Sequence, residues 1–432
     1  MTIVSISAGA SDNPGSGHWY WLYKYLFQTQ NARGDSNGVT LGPIKFASDH
    51  LVGVFKIRAS TNRQFARWSL FARDYLVLTQ SVKTLTRSGV SRFQFYDGWL
   101  IELLLALQLA QKFPHARYLY NFHFALEWVQ VFEGRGKAQR FLRRSVIRAL
   151  EKKPSNLILT AETQQLAQLL SADVTHEIHD YPVLAAFDIP ITVDWGSRKH
   201  DVLIFPHASD ELPFSISLLS LLKEAGLQSR IVCSERAWAR SASVIADKLS
   251  DDKISELPDP IYTPLAEGSY QELLSSSRII ILPYQDEYFR WGSSGKFNEA
   301  VAVGAFPFVP HTTAIATQSS AEPAIHFYPD NDPHEAVVKI LKRLELGWDE
   351  RLQPVTIDDL EKTFSAESTA IFAGRGELYR RLLSLTLASV IYSTSRYQPS
   401  MSKMRRAVGS FIDRRVFLPL GILPPKKSLS RL

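Results

Sequence analysis

The sequence is poor in the features that mark several protein classes. Its one cysteine, Cys233, permits neither an intrachain disulfide nor a cysteine-based zinc site, which is typical of a reducing compartment. The longest apolar stretch, around 99–110, is interrupted by Glu102 and Gln108 and falls short of the roughly 20 residues that a spanning helix needs. The first residues lack the basic and apolar regions of a secretory signal. We therefore expect a cytoplasmic chain that does not cross a membrane.

Other absences argue against cofactor, metal and nucleic-acid sites. The glycine-containing loop ASDNPGSGH does not supply the GxGxxG of a dinucleotide site, which argues against an oxidoreductase. His176 and His179 lie close together without a clear third metal ligand. Residues 330–332 (DND) have the spacing of a metal-binding DxD motif, but a turn and helix N-cap explain them better. The aromatic and glycine signatures of RNA-binding modules are missing, so we expect no nucleic-acid partner.

The pattern of apolar segments predicts two α/β domains. A chain of 432 residues exceeds the roughly 250–300 that one core supports. Strand-like segments (TIVSISAG, DYLVLTQ, ARYLYNFHF, NLILTA) alternate with helix-like ones, which predicts mostly parallel sheets covered on both faces. Thr160 or Thr163 is the candidate N-cap of the helix after NLILTA. A proline-containing polar stretch breaks the pattern near Trp195, so we divide the chain into 1–194, 195–375 and a helix with a basic tail at 376–432.

Positive charge is concentrated in two segments. Residues 390–432 contain nine lysines and arginines and one acid, a charge of +8 in a chain whose total is +6. A second basic helix is predicted at 135–153, where Leu142, Val146 and Leu150 form an apolar stripe. These segments fit a solvated charged face, contact with an anionic membrane, or a nucleic acid. We expect peripheral binding to the inner face of a membrane through the tail.

The most informative segment is IIILPYQDEYFRWGSSGKFNEAVAVGAFPFVP, in which a strand leads through a polar loop into a helix. Amide groups at a helix N-terminus and the helix dipole favour an anion. Arg290 and Lys296 would add full charges, and Glu299 in the first turn would accept from ribose hydroxyls. Together these groups indicate a nucleotide. The alternative is an ordinary N-cap with a capping carboxylate.

The segment GSSGKFNEAVAVGAFPFV resembles the nucleotide-sugar motif of family 4-type GT-B glycosyltransferases. The resemblance implies two Rossmann-like domains with parallel sheets facing across a cleft, the first binding the acceptor and the second the nucleotide-sugar. It implies donor-binding roles for Gly17, Ser293, Ser294, Gly295 and Glu299. The motif departs from the family at Trp291, where a glutamate is usual. The chain also has PHASDELPFS where the family places an arginine and a lysine, so Arg290, Lys296 and Arg236 are left to supply charge.

Loops after the first-domain strands hold the candidate acceptor-side residues. His18 and Asp97 are expected to bind the acceptor, and His123 ends a predicted strand where the family often has a histidine near the sugar. A satisfied core histidine is the alternative. The candidate catalytic residues are His123, Arg290 and Lys296. The resemblance implies transfer of a sugar to a hydroxyl on a surface or lipid-linked glycan, without metal or cofactor; an inactive GT-B scaffold, a glycan-binding protein or a GT-B-like epimerase are the alternatives.

Overall fold

The computed structural model describes most of the chain up to residue 365. The described residues are 2–7, 18–34, 38–44, 48–55, 68–96, 100–123, 147–151, 153–172, 174–184, 194–207, 209–246, 257–263, 265, 268–285, 287–315, 327–328, 332–348, 352 and 355–365. Two parallel sheets, each with its own hydrophobic core, make up this part of the chain.

The first sheet has seven strands, all paired in parallel: β1 (Ile3–Ile6), β2 (Thr40–Pro43), β3 (Leu51–Phe55), β4 (Arg92–Phe95), β5 (Arg117–Phe122), β6 (Leu157–Ala161) and β7 (His179–Asp180). Their order is β3-β2-β1-β4-β5-β6-β7. Strands β1 and β6 are buried along their whole length, as expected of strands covered on both faces. The order reverses between β1 and β4, and open α/β sheets bind ligands beyond the carboxyl ends of the strands at such a point.

The first-sheet helices are α1 (His18–Ala32), α2 (Trp68–Arg87), α3 (Leu100–Lys112) and α4 (Gln164–Ser171). The prediction that DYLVLTQ is a strand was wrong, because these residues lie inside α2. Tyr75, Leu78, Val82 and Leu85 recur every three or four residues and pack on the core, which is helical spacing. Thr163 caps α4, accepting from the Leu166 amide at 3.1 Å, which confirms one of its two candidate N-caps.

The second sheet repeats the arrangement with six strands: β8 (His200–Ile204), β9 (Ser229–Ser234), β10 (Ile261–Thr263), β11 (Ser277–Ile281), β12 (Phe306–Pro310) and β13 (Phe327–Tyr328). All are paired in parallel in the order β10-β9-β8-β11-β12-β13. The order reverses between β8 and β11. A second ligand-binding edge is therefore expected at the carboxyl ends of these strands.

The remaining helices are α5 (Leu212–Glu224), α6 (Glu235–Ala246), α7 (Ser269–Ser275), α8 (Gly295–Ala302), α9 (Pro333–Leu346) and α10 (Ile357–Thr363). Asp332 caps α9, its carboxylate accepting from the amides of His334 and Glu335 at 3.0 Å each, as its position before a helix predicted. Gly304 follows α8 with φ +69°, and a Cβ there would lie 3.0 Å from Nη2 of the buried Arg198. The turn from α8 into β12 therefore requires glycine.

Helix α10 packs on the first domain, although the sequence analysis placed its residues in the second. Ile357, Leu360 and Phe364 are buried in a cluster with Ile3 and other residues of the first sheet. The Arg117 guanidinium also donates to the Phe364 carbonyl at 2.6 Å. Apolar residues at helical spacing predict a packed helix but carry no signal of which domain covers it.

The basic segments are described only in part. Residues 147–150 are helical, with Ala149 and Leu150 buried and Arg148 exposed, as an amphipathic helix requires. Lys153, by contrast, is 1% exposed and donates to the Leu157 carbonyl at 2.7 Å, so it does not belong to a membrane-facing surface. Burial lowers its pKa to about 8. The rest of the predicted helix and the whole tail, 376–432, lie outside the described residues. Within the part of the chain that the structure describes, no helix is long and apolar enough to span a bilayer.

Candidate functional site

The two domains meet where the loop before α8 contacts the carboxyl ends of the first-sheet strands. The Ser293 hydroxyl donates to the Glu162 carboxylate, and the Thr163 hydroxyl donates to the Trp291 carbonyl. The Trp291 side chain also packs against the first-domain core. The loop that the sequence indicated as the donor site therefore lies directly against the end of β6.

Glu162 is at the centre of this contact. Its side chain is fully buried and accepts from Asn121 Nδ2 at 2.9 Å, from His123 Nδ1 at 2.5 Å and from the Ser293 hydroxyl. Burial raises the pKa of the Glu162 carboxyl, but the charge and hydrogen bond of His123 and the bonds from Ser293 and Asn121 outweigh it and hold the pKa below its ordinary value. The site thus contains a buried, ionised carboxylate.

His123 follows β5 directly, as the sequence predicted. Its side chain is 12% exposed, and its ring lies 5.4 Å, centroid to centroid, from the Tyr96 ring at the end of β4. An ionised carboxylate can only accept, so the Nδ1 that faces Glu162 carries a hydrogen. The imidazole is therefore either the Nδ1–H tautomer or the cation, and in both forms its plane is fixed by Glu162 and Tyr96.

The start of α8 has the N-cap of the alternative interpretation but not its capping carboxylate, because Glu299 bonds to Tyr270. The Ser294 hydroxyl accepts from the Phe297 amide at 3.2 Å and shares a 2.6 Å hydrogen bond with the Tyr284 hydroxyl. Ser293 and Ser294 are both buried, and both hydroxyls have partners within the protein. The other first-turn amides of α8, beginning at Gly295, have no acceptor within the helix and are the groups suited to an anion.

Glu299 lies one turn into α8 and is 2% exposed. The Tyr270 hydroxyl of α7 donates to its Oε2 at 2.6 Å. Burial and the adjacent Glu299 raise the pKa of Tyr270 well above its ordinary value, so the phenol remains a donor. Tyr270 therefore fixes the orientation of the carboxylate that was predicted to bind ribose.

Lys296 is half-buried at the N-terminus of α8, with Nζ 5.6 Å from the centroid of the Phe205 ring. Burial lowers the pKa of Lys296, while Glu299 and Glu211 act in the opposite direction. Glu211 belongs to the segment PHASDELPFS; it is fully buried and accepts from the backbone amides of His207 at 2.5 Å and Gln285 at 2.9 Å. A carboxylate here joins the loops after β8 and β11.

The other predicted residues are less closely associated with this cluster. Arg290 and Arg236 are exposed, Arg290 in the turn before Trp291 and Arg236 on α6. Helix α1 begins at His18, while Gly17 and Asp97 lie outside the described residues. Among the described residues, no three histidine, cysteine or acidic side chains are grouped so as to hold a metal ion.

Sequence reasoning missed Glu162, Tyr270 and Glu211. Glu162 follows a buried strand directly, and an acidic residue at the carboxyl end of a parallel strand, next to the strand ending at His123, was a usable signal. Tyr270 and Glu211 gave no such signal, because their partners are 29 and 74 residues away in sequence. Only the fold brings these residues together.

Comparison with known proteins establishes the fold. No protein-family model matches the chain, and no curated protein sequence matches it. It is similar in structure to sucrose-phosphate synthase from Thermosynechococcus elongatus, with a TM-score of 0.50 and 12% identity over 95% of this chain and 100% of that one. A glycosyltransferase from Rickettsia africae gives a TM-score of 0.49 and 11% identity over 90% of this chain and 98% of that one. Anabaena HepE, solved in complex with UDP, gives a TM-score of 0.48 and 11% identity over 96% of this chain and 100% of that one. The likeness to sucrose-phosphate synthase over nearly the whole chain, together with the two parallel sheets, confirms the expected architecture: the chain has the GT-B fold.

Proposed function

We propose that this chain is a glycosyltransferase that moves a sugar from a nucleotide-diphosphate sugar to an acceptor hydroxyl. The observation that carries the proposal is the contact between Glu162 and Ser293. Through it, a histidine at the carboxyl edge of one sheet and the loop before α8 in the other domain share one contact. GT-B folds place acceptor and donor on opposite sides of the cleft between their domains.

The donor side suits a nucleoside diphosphate. The amides of Gly295 and Lys296, which have no acceptor within α8, and the helix dipole favour phosphate, and the half-buried Lys296 side chain would add a full charge. Glu299, held by Tyr270, would accept hydrogen bonds from ribose hydroxyls. Positioned donors of this kind stabilise the charge that develops on a leaving diphosphate. The reaction would then proceed without a metal ion or cofactor.

The acceptor side is the first domain. His123 would contact the transferred sugar or the attacking hydroxyl from the end of β5. Closure of the domains would bring these groups together and exclude water from the activated donor. His123→Ala should therefore slow transfer with little loss of nucleotide affinity, whereas Glu299→Ala should weaken nucleotide binding.

We also propose that the acceptor is a surface or lipid-linked glycan presented at an anionic membrane. The support is the charge of +8 in residues 390–432. Each basic residue near an anionic surface contributes about 1 kcal/mol to the free energy of membrane binding. This attraction weakens beyond a Debye length of about 8 Å. Such a tail suffices for reversible attachment.

Calorimetric titration of the full chain with UDP, GDP and ADP tests the donor site. We expect at least one to bind at micromolar to millimolar concentration and Glu299→Ala to weaken it. Absence of binding by all three to folded protein would overturn the proposal. The rival is an inactive GT-B scaffold, favoured by Trp291, whose side chain packs on the first-domain core in place of the family glutamate. A scaffold would release no sugar from any donor.

A further inference from the structure

We infer that Glu162 is a positioning residue that orients His123, favours its charged form and couples it to the loop before α8. This inference rests on the proposed function, because it assigns Glu162 a role in the same site. The sequence motif near α8 and the candidate histidine did not predict a carboxylate at the end of β6. The fold places Glu162 there, in contact with His123.

Sheet register makes the pairing specific. Strands β5 and β6 run in parallel with Phe122 opposite Ala161, so the next residues along the two strands are His123 and Glu162. Their contact, 2.5 Å from Nδ1 to Oε1, follows from this register. A slip of one residue would turn one of the two side chains to the opposite face. The eleven residues of β5 and β6 set this register, so the pairing of the two strands fixes the position of His123 relative to Glu162.

The surroundings show which groups set the charge of the imidazole. Among the described residues, Glu162 faces it from the end of β6 and the Tyr96 phenol from the end of β4. The loop before α8 contributes the Ser293 hydroxyl, and β5 itself contributes the Asn121 amide; both donate to Glu162 and neither titrates near neutral pH. These contacts place the Glu162 carboxylate directly against His123, and its negative charge favours the imidazolium.

The same carboxylate links the two halves of the site. One oxygen of Glu162 binds His123 and the other binds Ser293, which precedes the N-cap of α8 by one residue. A displacement of the loop before α8 would therefore move the carboxylate that orients His123. When the loop is held by donor, Glu162 keeps the Nδ1 hydrogen of His123 in place and leaves the imidazole charge to act on the donor or acceptor.

The first test measures the charge of His123 without any substrate. The full chain is labelled with ¹³C at histidine Cε1, and His123→Ala identifies the His123 signal among the eleven histidines. We expect Glu162→Gln, which keeps the shape and removes the charge, to lower the midpoint of the His123 titration by about one pH unit or more. Ser293→Ala removes the interdomain hydrogen bond but keeps the carboxylate, so it should leave the midpoint within a few tenths of a unit.

The second test measures turnover. We expect Glu162→Gln to lower kcat at pH 7 at least tenfold with little change in the donor KM, and to move the alkaline limb of the kcat profile to lower pH by the shift seen in the titration. Ser293→Ala should raise the donor KM without moving that limb. Glu162→Asp keeps the charge and should restore the position of the limb at a reduced rate.

An unchanged His123 midpoint in folded Glu162→Gln would overturn the inference, as would equal effects of Glu162→Gln and Ser293→Ala on the pH profile. Should Glu162→Gln fail to fold, Glu162→Asn takes its place, because it also removes the charge, and an unchanged His123 midpoint in folded Glu162→Asn would contradict the inference. If Glu162→Gln lowers the His123 midpoint as expected but the wild-type chain turns over no nucleotide-sugar, the result contradicts the proposed function and not the pairing of Glu162 with His123.

Discussion

Replacement of Glu299 by glutamine is the most informative perturbation of the donor site. Glutamine keeps the size of the side chain and one acceptor oxygen, so the packing around a residue that is 2% exposed is retained. It removes the charge and replaces one acceptor oxygen by a donor NH₂. If the carboxylate accepts from ribose hydroxyls, the variant loses a charge-assisted hydrogen bond with the nucleotide.

The expected loss can be estimated from the chemistry of that bond. A hydrogen bond to a charged group contributes about 1.5–3 kcal/mol, and each 1.4 kcal/mol is a factor of about ten in Kd. Nucleoside diphosphate should therefore bind roughly 10- to 150-fold more weakly to Glu299→Gln. Tyr270→Phe is the matched control, because it removes the 2.6 Å bond that orients the carboxylate and keeps the charge. Its loss should be smaller, about 0.5–1 kcal/mol or roughly two- to fivefold.

The same variant makes a pH prediction through Lys296. Glu299 opposes the lowering of the Lys296 pKa by burial, so removing its charge lowers that pKa further. A lysine loses its charge as pH rises through its pKa. Nucleotide affinity should therefore decline at a lower pH in Glu299→Gln than in the wild type, as measured by calorimetry from pH 7 to 10.

Wild-type affinity in folded Glu299→Gln would refute the assignment of ribose to this carboxylate. A loss in Tyr270→Phe as large as that in Glu299→Gln would show that the two residues act by shaping α7 and α8 and not by binding nucleotide. Thermal melts of both variants without ligand separate these outcomes from simple destabilisation.

Three further predictions concern stability and the tail. Leu360→Ala should lower the free energy of unfolding by about 2–5 kcal/mol, because it leaves a cavity in a fully buried site. A urea melt that matched the wild type would contradict the packing of α10 on the first domain. Gly304→Ala should lower the free energy of unfolding by about 1–3 kcal/mol, because Gly304 has a positive φ and lies close to Arg198. The loss should exceed that in Gly347→Ala, where φ is positive but the space is open, and equal losses in urea melts would exclude the Arg198 contact as a cause. The full chain should float with anionic but not neutral vesicles, and a chain ending at Tyr392 much less; indifference to lipid charge or truncation would contradict the membrane proposal.

The sequence predicted the architecture because parallel sheets give a strong local signal. Buried strands such as β5, β6 and β11 appear as short apolar runs, and the helices that follow β6 and β11 have recognisable N-caps, Thr163 for α4 and Ser294 for α8. The signal weakened where elements are short or interrupted. Strands β2 and β3 contain Gly42 and Gly53 and were not recognised. An apolar stretch inside α2 was mistaken for a strand, because its helical period emerges only over a longer window.

The candidate site was predictable on one side only. The loop before α8 and Glu299 share one short segment, so spacing along the chain indicated them together. The pairing of His123 with Glu162 depends on the register of two strands joined by a long connection, and their link to Ser293 depends on how the domains meet. The placement of α10 likewise depends on which core is nearest in space. Local patterns do not determine such contacts.

Breakdown of a nucleotide-sugar by this chain is the most direct test of the proposed function. Full-length protein is incubated with a panel of nucleotide-diphosphate sugars, and released sugar and nucleoside diphosphate are measured by mass spectrometry, alongside His123→Ala. The account predicts slow release from at least one donor, reduced at least tenfold in His123→Ala while that variant still binds the nucleotide. A wild-type chain that binds nucleotide but releases sugar from none of the donors, with or without candidate glycan acceptors, would contradict it and identify the GT-B fold here as a scaffold.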